Sequence, residues 1–197
     1  MNHSILPRLG AASGALFVVL LVAPGRSEST AALVSELLGL LCMIPFLGYL
    51  WRVLGEAEGP GGWLATTALG AGLVDVTIKL GSLGPGKVAQ DYGDATDMHQ
   101  ALEKMNNVAF IVTMLPLGVM MAAVAAVILT RGGLPKALGW LAAVAAPLLL
   151  ANGMFLNTAE GPAFLLFLLW TLLASVVLTR RAGLVRAVGA AEQAPTP

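Results

Sequence analysis

From Met105 to Thr130 the chain carries no Asp, Glu, Lys or Arg, and it is uncharged again from Ala137 to Ala159 and from Gly161 to Thr179. A soluble domain does not tolerate such runs, because it needs charged residues at short intervals to face water. A helix rises about 1.5 Å per residue, so about 20 apolar residues cross the roughly 30 Å hydrocarbon core of a bilayer. Inside that core a backbone finds no water, and a helix satisfies its N–H and C=O groups within one segment. The residue census agrees. Of 197 residues, 57% are hydrophobic and 11% charged, against about 25% charged in soluble domains. The fold class is therefore all-α, a polytopic transmembrane bundle.

Turn residues and flanking cations divide the chain into six spans, at about 9–24, 30–50, 63–81, 106–130, 137–155 and 162–178. They form one domain over residues 1–189, and 190–197 reads as a disordered tail of small and polar residues. The first stretch has two readings, a signal peptide or a short span. The span is favoured because Val22-Ala23-Pro24-Gly25 offers no clean small-x-small cleavage site, while Gly10 and Gly14 have the spacing that lets membrane helices approach closely. The second span ends at Trp51-Arg52, an interfacial aromatic beside a cation. Gly59-Pro60-Gly61-Gly62 then turns the chain into the third, which runs to about Gly81. Residues 82–97 form the longest polar connection and contain Asp91, Asp94 and Asp97. Asp97 followed by Gln100 fits a capping box, and Met98, Leu102 and Met105 recur at helical spacing, so the fourth helix starts before its span does. Arg131-Gly132-Gly133-Leu134-Pro135 makes the next turn.

Cytoplasmic loops keep an excess of Lys and Arg. With the N-terminus inside, that side holds Arg8, Arg52, Arg131, Lys136, Arg180, Arg181 and Arg186, and the outside holds Arg26, Lys79, Lys87 and Lys104. The expected topology is both ends in the cytoplasm, in a bacterial cytoplasmic membrane. Eleven basic and eleven acidic residues cancel, which leaves no cationic surplus for a nucleic-acid partner. The single Cys42 permits no intramolecular disulfide.

Charges within spans cost about 2.5–3.5 kcal/mol each on insertion scales and so need a reason. Glu36 lies in span two; Asp75 and Lys79 lie four apart in span three and share a face. Counted from the expected helix ends, Glu36 and Asp75 sit about 10 Å below the outer surface. Asn152 in span five reaches a similar depth, and Asn106 and Asn107 stand at the entrance of span four. These six residues form the candidate ligand-binding set, an outward-facing polar pocket. The competing reading is structural, with Lys79 neutralising Asp75 and the cluster fixing how helices pack. Gly62-Trp63-Leu64-Ala65 and Gly139-Trp140-Leu141-Ala142 echo each other and set Asp75 opposite Asn152, a short match better read as two similar interfacial entries than as duplication.

His99 and Glu103, four apart, are weak metal-ligand candidates, with Asp94 or Asp97 as a third. The only other histidine is His3, and no His-Glu-x-x-His or paired-Cys pattern exists, so no metal and no cofactor is assigned. Gly81-Ser82-Leu83-Gly84-Pro85-Gly86-Lys87 has the spacing of a phosphate-binding loop, but Val88 stands where that loop needs a hydroxyl. No catalytic residues are assigned, and an enzyme ranks behind two other functions. One is binding or transport of a small molecule or ion. The other is a non-catalytic accessory or assembly subunit of a membrane complex. Pro45, Pro116 and Pro147 inside spans are packing kinks, and the methionines are filler.

The segments Asn106-Asn107-Val108-Ala109-Phe110, Leu115-Pro116-Leu117, Arg131 through Trp140, and Phe164 through Trp170 with Arg180-Arg181 resemble bacterial multi-pass membrane proteins of unknown function of the DUF4386-like type. The resemblance implies six helices in a membrane and assigns no activity or site residue. If the topology is right, a cysteine introduced at Asp94 is labelled by an impermeant maleimide on intact cells, and absence of labelling there would overturn it.

Overall fold

The computed structural model describes residues 6–23, 30–89, 97–155 and 161–192, the side chains of Thr30 and of 183–192 excepted. Among these residues there are six helices and no strand: α1 Leu6–Val22, α2 Thr30–Glu58, α3 Leu64–Ala89, α4 Asp97–Arg131, α5 Lys136–Phe155 and α6 Pro162–Glu192. Five are long and apolar enough to cross a membrane, whereas α1 is a shorter apolar helix of 17 residues, about 25 Å long. Outward positions are themselves apolar, including Leu41, Val74, Val119, Val144, Leu148 and Leu165. Exposing them to water would be unfavourable by about 25 cal/mol per Å², but against lipid tails they are well matched.

α4 begins at Asp97 and α5 ends at Phe155, as the sequence pattern predicts. α3 corrects that pattern: it does not stop at Gly81 but continues through Pro85 to Ala89. A helical proline removes one N–H and frees the carbonyl four residues back. Here that carbonyl belongs to Gly81, which is exposed. The Gly81–Lys87 stretch is therefore helix and not a phosphate-cradling loop. The turn entering α3 leaves Trp63 just before the helix, while Trp140 lies inside α5, so the two echoed tetrads are not equivalent positions. α2 and α6 outlast their expected spans, reaching Glu58 and Glu192, so residues 190–192 lie in α6.

The chain divides into two compact units, Met1–Leu50 with Leu169–Pro197, and Trp51–Leu168. In the first, α1 lies against α2: Gly10 faces Tyr49 and the Pro45 carbonyl, and the Ser35 hydroxyl donates to the Leu20 carbonyl at 2.7 Å. Gly14 meets both the Phe46 ring and the Ser175 hydroxyl of α6, and a Cβ there would overlap them. The small-residue spacing read from the sequence is thus a contact.

In the second unit α4 packs against both α3 and α5. Its span is 67% buried, against 28% for α3 and 39% for α5. Leu115 lies opposite Gly153, Gly118 opposite Leu150, and Ile128 opposite Gly139, an antiparallel register that stays constant along the pair. Left-handed glycines make the turns. Gly132 (φ 89°) closes α4 with bonds from its N–H to the Val127 and Ile128 carbonyls, followed by Gly133 (φ 86°). Gly59 and Gly61 (φ 82° and 81°) bend the chain before α3. That bend sets the Glu58 carboxylate, at 2.9 Å, as acceptor for the Leu64 and Ala65 N–H groups, with its charge at the positive end of α3.

A Cβ on Gly118 would lie 2.6 Å from Leu150 Cγ and 3.1 Å from the Ala146 carbonyl. Gly118→Ala is expected to destabilise the protein in detergent by about 1–3 kcal/mol, read as a lower unfolding temperature. Gly70→Ala, where a Cβ meets nothing within 4 Å, leaves that temperature unchanged or raises it.

Candidate functional site

Extending α3 to Ala89 moves its charges inward along the helix. Asp75 is about 17 Å from the start of α3 and about 21 Å from its end, so it sits near the middle and not 10 Å below one end. It is 8% exposed. On α4 its neighbour is Thr113, whose hydroxyl is hydrogen-bonded with the carboxyl, and on α3 the Lys79 charge acts on it. Thr113 is buried, and its Oγ1 donates to the Phe110 carbonyl at 2.6 Å.

One turn further along α3, the Lys79 ammonium lies over the Phe110 ring, 4.6 Å from its centroid. Phe110 in turn meets Phe164 of α6 edge to face at 5.0 Å, and Phe164 stacks on toward Phe167 at 6.0 Å. The ring face is negative and the edge positive, so the cation takes the face and the neighbouring aromatic completes the T. Phe110 is the hub of the site: its carbonyl holds Thr113 and its ring holds Lys79. Such a site presents an acid, a hydroxyl and an ammonium within two helical turns, the groups needed to bind a small polar solute, an ion or a proton.

Of the residues singled out from sequence, Asp75 and Lys79 thus come together with α4. Asn106 also lies on the α3-facing side, packed against Gly86, with its Oδ1 buried and lacking a hydrogen-bond partner. Asn107 is exposed. Asn152 is half-buried on α5 beside Gly153, and α5 meets the α4 stripe of Leu115 and Gly118 rather than the Phe110–Thr113 stripe. Glu36 is half-buried and belongs to the first unit.

His99 Nδ1 lies 2.8 Å from the Ala89 carbonyl, tying the start of α4 to the end of α3, and Nε2 is 3.5 Å from Glu103. Among the described residues no group of three His, Cys, Asp or Glu side chains is arranged to hold a metal. Asp91 and Asp94 lie outside the described residues, and Asp97 is exposed.

Thr113 and Phe110 escaped the sequence reading because single Thr and Phe residues are ordinary in membrane helices. Their signal is spacing: Asn106, Phe110 and Thr113 fall on one face of α4 at steps of four and three. Comparison with protein-family models, with curated proteins and with solved structures finds no match in any of the three. A double-mutant cycle of Lys79→Met and Phe110→Leu, followed by unfolding in detergent, is expected to show a coupling of about 0.5–2 kcal/mol.

Proposed function

We propose that the chain is a six-span protein of the bacterial cytoplasmic membrane, with both ends inside, that binds and transports a small solute or ion at Asp75 and Lys79. The observation that supports it is Asp75 itself: an acid near the middle of an apolar helix, buried against a hydroxyl of α4 rather than against a cation of that helix. An intramembrane ionisable group of this kind marks a ligand or proton pathway more often than a packing device. The excess of Lys and Arg on one side supports the orientation, and the DUF4386-like resemblance supports kinship with other multi-pass bundles.

A specific observation also favours the second reading, an accessory subunit in which the charges serve assembly. Both polar contacts, Asp75 with Thr113 and Lys79 with Phe110, cross from α3 to α4 and so pin the two helices.

Thermal unfolding of wild type, Lys79→Met, Asp75→Asn and the double variant separates the two. A binding centre predicts that removing the charges leaves stability unchanged or higher, and that a solute panel raises the unfolding temperature of wild type but not of the variants. Strongly destabilised single variants with recovery in the double variant would establish a structural pair and overturn the binding reading.

A further inference from the structure

Four contacts define how α3 runs against α4: Asp75 with Thr113, Lys79 with Phe110, Gly86 with Asn106, and Ala89 with His99. On each helix these positions step by fours and threes, the spacing of a seam between paired helices. Ser82 on α3 and Glu103 on α4 occupy the remaining steps. Seams between membrane helices are normally built from small and apolar residues. Of these ten positions only Gly86, Ala89 and Phe110 lack a polar side chain. Polar residues therefore recur along this seam, from the middle of α3 to the end where it faces the start of α4.

Two further details concern the protons along this seam. The Thr113 hydroxyl donates to the Phe110 carbonyl or turns its proton to the Asp75 carboxylate, and it accepts from Asp75 when the acid carries a proton, so the bond between them persists in both charge states of the acid. At the other end the tautomer is fixed. His99 Nδ1 must carry the hydrogen donated to the Ala89 carbonyl, so Nε2 and the Glu103 carboxylate can bond only through a second proton. Between the two ends, the Asn106 Oδ1 is buried without a partner; a bridging water satisfies such an atom.

We propose that Asp75 is a reversible proton-binding site reached from the His99–Glu103 end along the α3–α4 seam, the proton being the ion that the centre binds. This deepens the reading of Asp75 and Lys79 as a binding centre and rests on it. On loading, an O–H bond forms at Asp75 as one in a hydronium ion breaks and leaves water, and the new O–H donates to Thr113. On release the proton returns to water, the Thr113 hydroxyl turns its own proton to the carboxylate, and Lys79 exchanges the Phe110 ring for Asp75 four residues away on its own helix.

Lys79 is the charged group acting on Asp75. α4 presents Thr113 there, α5 has no ionisable residue except Lys136 at its first position, and residues 162–168 of α6 have none. Residues 51–58 of α2 carry Arg52 and Glu56, which pair with each other on α2, and Glu58, which accepts from the first turn of α3, well away from its middle.

The test is pH-difference infrared spectroscopy of the full chain in lipid vesicles. Wild type is expected to show a carboxylic C=O band that disappears as pH rises, is absent in Asp75→Asn and is shifted in Thr113→Val. In Asn106→Leu the band persists, but its exchange in heavy water slows at least tenfold. Asp75→Glu, which keeps the acid, guards against loss of folding in Asp75→Asn, and helix content by circular dichroism qualifies every variant. A missing Asp75-dependent band, or exchange unaffected by Asn106→Leu, overturns the proposal. A solute that stabilises wild type but not Asp75→Asn, without any such band, would overturn the proton assignment and leave the binding reading intact.

Discussion

The burial of α4 between α3 and α5 is the constraint on which the second unit depends. A helix surrounded by helices can tolerate no bulk where neighbours approach, and α4 meets α5 through glycines placed on both partners. Gly118 receives Leu150, while Gly139 and Gly153 receive Ile128 and Leu115. Because that side is packed by shape alone, the opposite side of α4 is free to carry polar chemistry toward α3. Membrane helices gain nothing from the hydrophobic effect among themselves, so close packing and hydrogen bonds must supply the association.

The polar side has a consistent electrostatic logic. A cation inside a membrane span is expensive unless something replaces its hydration. Phe110 does this for Lys79 with its ring, and Phe164 orients that ring. Asp75 has no such replacement on α4 beyond a hydroxyl. The asymmetry is a cation held over an aromatic ring beside an acid whose α4 partner is a single hydroxyl. Thr113 in turn bonds to the backbone of α4 three residues before Pro116, where the helix already lacks one hydrogen bond.

Much of the local structure was legible because its causes are local. The start of α4 at Asp97, the Gly132-Gly133 reversal and the contact role of Gly10 and Gly14 follow from capping, left-handed backbone and small-residue spacing. The end of α3 is not legible in the sequence, for the opposite reason. Three glycines and a proline between Gly81 and Gly86 look like a break, yet one lost hydrogen bond is not enough to end a helix whose other bonds remain. A helix ending at Gly81 would hold Asp75 nearer its end than the observed α3 does. Glu58 was overlooked because it caps a helix that starts six residues later, beyond any local capping pattern.

By itself the sequence determined that this chain is helical and built from apolar segments of membrane-spanning length, because uncharged runs leave a backbone no other way to satisfy its polar groups. It also marked Asp75 and Lys79, since charges in such runs are rare. Only the tertiary structure decided which neighbours those charges meet. That Asp75 meets Thr113 and Lys79 meets Phe110 depends on which stripe of α4 faces α3 and on a register shared by two helices. Such a register is set by side-chain interlock across the pair, which no single helix's periodicity contains.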